Sequence, residues 1–188
     1  MAVAALPFVA VALVLLLSPG IERSKEERES AEMARIERER AERNARIREQ
    51  QRPRQGTGIP AGSDLAARSA LLGTALAALR SDARERAASG ELKGPIRRLE
   101  CEPYPRTAVR RDPERDPSRR SGRYSCLAVT AEFGALEGNE AGVIGYPYRL
   151  AVHFDSGRFA YCKISGRPAE GAISARPVVT VPRACGGS

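Results

Sequence analysis

Residues 148–164 read YRLAVHFDSGRFAYCKI. Tyr148, Leu150, Val152 and Phe154 alternate with Arg149, Ala151, His153 and Asp155, the two-residue period of a strand with one buried face. Ser156-Gly157 reads as a two-residue turn of the I′ or II′ kind, and residues 158–164 return as the partner strand.

Upstream, residues 122–133 (GRYSCLAVTAEF) alternate in the same way, with Leu127, Val129, Ala131 and Phe133 on one face. Residues 96–102 predict a first strand that carries Cys101 and is closed off by Pro103 and Pro105. Between these strands, residues 106–120 carry Pro113, Pro117 and two Arg pairs, and read as a solvated loop. Residues 134–145 (GALEGNEAGVIG) lack the Lys-Ser/Thr ending of a phosphate-binding loop and predict a hairpin loop. Downstream, residues 177–181 (PVVTV) predict a last strand.

Ahead of the sheet, Ser63-Asp64 supplies an N-cap for a helix running to Ala88, and Gly90 sits where a stop belongs. Leu65, Leu72, Leu76, Leu79 and Ala83 form its apolar stripe, with Arg68, Arg80, Arg84 and Glu85 off it. One helix before four to five antiparallel strands predicts an α+β domain, the helix packed on one sheet face.

Further toward the N-terminus, residues 53–62 (PRQGTGIPAG) read as a linker unfit for helix or sheet. Residues 22–54 hold eleven Lys/Arg and nine Asp/Glu. Glu39/Arg43 and Glu42/Arg46 at i,i+4, with Glu32/Arg35 and Glu37/Arg40 at i,i+3, support a solvated helix by roughly 0.2–0.5 kcal/mol each. No heptad is sustained, so the segment predicts a single-helix stalk rather than a dimeric coiled coil. Residues 2–21 are uncharged and mostly apolar, and about 20 such residues suffice to span a bilayer. They lack the basic n-region and the A-x-A site of a cleaved signal peptide, which favours an uncleaved anchor. The expected organisation is an anchor at 1–21, a stalk at 22–54, a linker at 55–62 and a domain at 63–188.

The four cysteines, Cys101, Cys126, Cys162 and Cys185, all fall in that domain. An even number behind an export-type helix reads as two disulfides in an oxidising compartment, with three pairings open. A bridge between Cys101 and Cys126 would close a loop of about 25 residues, worth about 3 kcal/mol, and Cys162 and Cys185 would then tie the tail to the hairpin. The positive-inside rule opposes this topology, because Arg23, Lys25, Arg28 and Arg35 follow the apolar run and would hold residues 22–188 in the cytoplasm. The cysteines carry the greater weight, since basic residues ahead of Met1 would reverse that charge count.

Net charge is +8, nearly all of the positive charge being arginine. Aromatic residues are 5% of the chain with no tryptophan, a thin supply for stacking on bases, and nucleic acid is not an expected partner. There is no CxxC pair and a single histidine, His153, which argues against a metal site and against a thiolate paired with a base. Glu132, Glu137, Glu140 and Asp155 form no spaced set for acid–base work. No catalytic, cofactor-binding or metal-binding residue is therefore assigned, and no cofactor is expected. Arg97-Arg98 and Arg119-Arg120 are candidate contacts for an acidic polymer, an envelope protein or lipid headgroups.

The order of anchor, charged stalk, helix, Cys-Glu-Pro (101–103) and Gly-x-Tyr-Ser-Cys (122–126) resembles small membrane-anchored, disulfide-bonded extracytoplasmic actinobacterial domains of unknown function. That resemblance implies a disulfide between Cys101 and Cys126 and no activity. The expected protein is a single-pass envelope protein with a non-enzymatic binding or structural domain. A cytoplasm-facing adaptor acting through its charged helix is the alternative, and an enzyme is the more remote one.

Overall fold

The computed structural model describes residues 6–105, 112–134, 142–164 and 180–187, with side chains from residue 25 onward. The chain divides into two units, Met1–Ala45 and Arg46–Ser188. Helix α1 (Leu6–Gln50) makes up the first and ends in the second. The expected anchor at 1–21 falls where side chains lie outside the described residues, and among the described residues no helix is long and apolar enough to cross a membrane.

From Lys25 to Ala45 nearly every side chain of α1 is exposed, Met33 included, as a solvated helix requires. Lys25–Glu29, Glu32–Arg35 and Arg35–Glu39 stand at 3.9 Å. These are loose surface pairs, each worth well under about 1 kcal/mol.

The second unit contains β1 (Arg54–Thr57), α2 (Leu65–Ala88), β2 (Arg98–Pro103), β3 (Ser121–Phe133), β4 (Gly142–His153) and β5 (Arg158–Lys163). Two 3₁₀ turns, η1 (Pro113–Arg115) and η2 (Arg183–Cys185), complete it. The five strands form one antiparallel sheet in the order β1-β5-β4-β3-β2, and α2 covers its inner face. The expected α+β class and the single helix on a small antiparallel sheet hold.

The fifth strand, however, is not the one expected. Residues 177–179 lie outside the described residues, and Thr180 and Val181 are not in a strand. Residues 54–57, expected to be linker, pair instead with the open edge of β5. Gly56 makes this possible, because the Phe159 ring lies over its backbone and a Cβ there would stand 2.3 Å from the ring. The domain accordingly begins well before residue 63. Ile47 is buried in the last turn of α1, Gln51 donates its side-chain N–H to the Ile164 carbonyl, and Lys163 Nζ donates to Gln50 Oε1 at 3.0 Å.

Helix α2 starts as expected, with Asp64 Oδ1 accepting the Ala67 N–H at 2.9 Å. Its buried face is rotated from the leucine stripe. Arg68, Leu71, Ala75, Leu79, Asp82, Ala83 and Arg86 point inward, whereas Leu65 is exposed and Leu72 and Leu76 are half-buried. The sheet beneath presents Tyr124, Tyr146, Tyr148, Phe159 and Tyr161. Rings of that size are matched by Ala75 and Ala83, and larger residues there would overfill the layer.

In β4 the expected alternation holds: Tyr148, Leu150, Val152 and Phe154 are all fully buried. The hairpin that follows is longer than expected, since the last β4–β5 pair is His153 with Arg158 and residues 154–157 form the loop. Phe154 leaves the ladder because its N–H donates to Arg120 O at 2.9 Å, while its carbonyl accepts from Ala61 and Gly62. In β3 the inward set is Tyr124, Cys126 and Ala128, opposite Leu150, Tyr148 and Tyr146, rather than the set beginning at Leu127. A bulge between Val129 and Ala131 resets the alternation downstream.

Candidate functional site

Both disulfides form between the expected partners, one on each side of the sheet. Cys101 and Cys126 are directly opposite on β2 and β3, with Cα atoms 4.0 Å apart, and face the core beneath α2. Cys162 points to the outer face and joins Cys185 of η2, Cα atoms 5.9 Å apart. Ala160, Cys162, Cys185 and Val181 pack together there as a second, smaller apolar cluster. The C-terminal tail is thereby fastened across the back of β5 and β4.

Three charged assemblies accompany this frame. In the first, Arg68 lies fully buried with its guanidinium ringed by backbone carbonyls. It donates from Nη1 to Gly62 O and from Nη2 to Pro113 O and Arg119 O, each at 2.8 Å, and from Nε to Glu114 O at 3.2 Å. Its plane stacks on Phe154, 3.8 Å from the ring centroid. Residues 112–120 are thus not a simple solvated loop. Pro113 is buried, η1 is wrapped on Arg68, and Tyr124 donates its hydroxyl to Glu114 Oε2 at 2.9 Å. Burial and the Glu114 carboxylate push the Tyr124 phenol far above its ordinary value.

The second assembly lies under the C-terminal half of α2. Asp82 Oδ2 accepts from Arg86 Nε at 2.8 Å, its Oδ1 stands 3.4 Å from Arg54 Nε, and Arg86 Nη1 donates to Glu91 Oε1 at 2.6 Å and to Gln50 O at 3.2 Å. Burial opposes the charge on Arg86, but Asp82, Tyr148 and Glu91 outweigh it and raise its pKa. Tyr148, whose buried hydroxyl has no hydrogen-bond partner among the described residues, is raised by burial first and by Asp82 next. A shallow cleft of about 400 Å³ opens beside this cluster, lined by Glu49, Gln50, Arg52, Arg54, Arg86 and Glu91. The buried Asp82 and the exposed Glu91 both pair with Arg86, so the cluster ties the last turn of α1, α2 and β1 together.

The third assembly is on the outer face. Arg149 stacks on the Tyr104 ring at 3.3 Å, with its Nη1 buried and without a hydrogen-bond partner among the described residues. Burial lowers its pKa, while Tyr104 and Glu102 act the other way. Arg123, Arg158, Arg183 and His153 are exposed on the same side.

The residues singled out from sequence are scattered over this frame. His153 ends β4 opposite Ser121 and Arg158, an exposed strand-end position. Glu132 pairs with Arg98, which also binds Glu100 at 2.6 Å, and Asp155 stands 3.3 Å from Arg120. Arg119 stands 3.3 Å from Asp116, and Arg97 donates to Thr130 O at 3.1 Å. Each of the four arginines expected to meet an acidic partner thus has at least one contact within the domain, while the Arg120 side chain stays 90% exposed. Glu137 and Glu140 lie outside the described residues, as does most of the glycine-rich stretch.

Sequence reasoning missed Arg68, the Asp82–Arg86 pair and Arg149. The i,i+4 spacing of Asp82 and Arg86 was visible, but only their burial sets them apart from a surface pair. No protein-family model, curated protein or solved structure matches this chain.

Proposed function

We propose that this is a single-pass membrane protein whose apolar N-terminal run anchors it, and whose C-terminal α+β domain acts outside the cytoplasm as a non-enzymatic binding or structural module. The observation that carries this reading is the pair of disulfides. Each bridge joins cysteines adjacent in the folded domain, on opposite faces of one sheet, and no unpaired cysteine remains. Such bonds persist in oxidising compartments and are rare where thiols are kept reduced. The layout also resembles that of exported, disulfide-bonded domains with the same order of anchor, stalk and cysteine motifs.

A C-terminal reporter fusion tests the topology. Active alkaline phosphatase with dark green fluorescence supports an outside domain, and the reverse pattern refutes it. Non-reducing digestion with mass spectrometry should recover Cys101–Cys126 and Cys162–Cys185 peptides from native protein. The second reading is a cytoplasm-facing adaptor, favoured by Arg23, Lys25, Arg28 and Arg35 after the apolar run. Four alkylatable thiols in protein isolated from cells would decide for it.

A further inference from the structure

We propose that the outer face of the sheet docks a flexible polyanion bearing phosphate groups. This deepens the binding-module reading by naming the surface and the ligand chemistry, and it rests on that reading for the compartment.

The pairing register puts the basic residues together. Arg123 stands opposite Ala151, and Arg149 and His153 lie two residues to either side of Ala151, so both are diagonal neighbours of Arg123. Arg158 stands opposite His153. The Cys162–Cys185 bridge fastens η2, and with it Arg183, onto this same face. Elsewhere in the domain Arg68, Arg86, Arg98, Arg119 and Arg120 are held by carbonyls or carboxylates. By contrast, the side chains of Arg123, Arg158 and Arg183 make no hydrogen bond or ion pair among the described residues. Three such arginines therefore share this side of the sheet, with Glu102 beside Arg149 as the near acid.

Arg149 adds preorganisation. Its guanidinium is half-buried and fixed flat on Tyr104, so little side-chain entropy is left to lose when an anion arrives. Guanidinium groups match tetrahedral phosphate oxygens with paired N–H donors, which favours phosphate as the anionic group.

Relief decides between a polymer and a bilayer. The tail crosses the face as a ridge: a Cβ on Gly186 would stand 3.0 Å from Arg123 Cδ. A flexible chain can follow the basic groups around that ridge, whereas a flat headgroup layer cannot touch them all. Arg149 already lies over one face of the Tyr104 ring, which leaves little aromatic surface here for bases to stack on.

The test uses the full chain in neutral detergent, titrated with long-chain inorganic polyphosphate at low salt. Binding should occur, weaken steeply as salt rises, and fall about tenfold or more in the Arg158→Glu/Arg183→Glu double variant. The Arg80→Glu/Arg84→Glu double variant changes charge equally on the exposed side of α2 and should stay within about twofold. Arg149→Lys keeps the charge but not the planar fork, and should lose part of the affinity. Circular dichroism and melting temperature establish that each variant is folded. Absence of polyphosphate binding, or equal losses in the two double variants, overturns the proposal. So does tighter binding to phosphatidylglycerol vesicles than to polyphosphate, which would assign the face to a bilayer. The titration is independent of the reporter fusion: an inside topology leaves its result standing, and a failed titration leaves the topology standing.

Discussion

At Arg68 a single side chain takes up carbonyls from the residue run before α2 and from the η1 region, which lies 45 and 51 positions away in sequence. Replacing it with methionine leaves those carbonyls buried without a donor, and urea denaturation should register a loss of about 3–5 kcal/mol. Lysine in its place should recover only part of this, because one ammonium cannot address four acceptors in a plane. Nothing in the local pattern betrays the role. Arginine at a helix position next to leucines reads as solvated, since charged residues are seldom fully buried unless paired, and here the partners are distant backbone atoms. The tyrosines make a second, opposite case, because their burial follows from the alternation of β4 but its effect on titration does not. Tyr124, Tyr148 and Tyr161 all have phenols raised above the unfolded value of 10.0 by burial. The folded state therefore holds these protons more tightly than the unfolded chain. That stability is fully present below about pH 10, and falls as pH rises from there toward the folded values. Denaturation midpoints taken at steps from about pH 8 to about pH 11 should decline over the upper part of that window. A flat profile would contradict the burial of these three rings.

Among the elements, the β4–β5 loop is the place where a small change should matter most. Gly157 has φ +69°, and a Cβ there would sit 2.3 Å from the Gly58 carbonyl, where Gly58 N–H donates to Gly157 O at 2.8 Å. Gly157→Ala should lower stability by more than about 1 kcal/mol, read as a drop in melting temperature, through both strain and the lost contact between loop and β1. Cleavage of the Cys101–Cys126 bridge by paired serine substitution should cost about 2–5 kcal/mol. The β4–β5 hairpin, the N-cap of α2 and the two-faced character of β4 were legible in the sequence, because each rests on short-range alternation or capping chemistry. Two features were not. The inward stripe of α2 is chosen by the ring sizes on the sheet, and two stripes compete in that helix: Leu65, Leu72 and Leu76 against Leu71 and Ala75, with the buried Leu79 and Ala83 of the expected stripe shared by both. Strand β1 depends on an edge of β5 that only the assembled sheet offers, and Gly56 within it argued for a linker.

For the whole molecule, the charged helix and the folded domain divide near Ala45. A peptide covering residues 22–51 should be monomeric and substantially helical at low salt, and lose helicity as salt screens its i,i+3 and i,i+4 pairs. Sedimentation as a stable dimer would make that segment an oligomerisation device instead. In the sequence a charge-balanced run gives way to alternating strands, and the two units divide within that run. The domain's true start was hidden, because Ile47 and Gln51 look like stalk residues until they meet Ile164 and its neighbours. The disulfide pattern also bears on biogenesis. Along the chain each cysteine is bonded to the next one, Cys101 to Cys126 and Cys162 to Cys185, so the two covalent loops follow one another without overlapping. In a chain threaded through a translocon from its N-terminus, the correct partner is always the next thiol to emerge. An oxidase that simply joins thiols in order of arrival would deliver the native pairs, and no shuffling enzyme would be needed to undo mistakes.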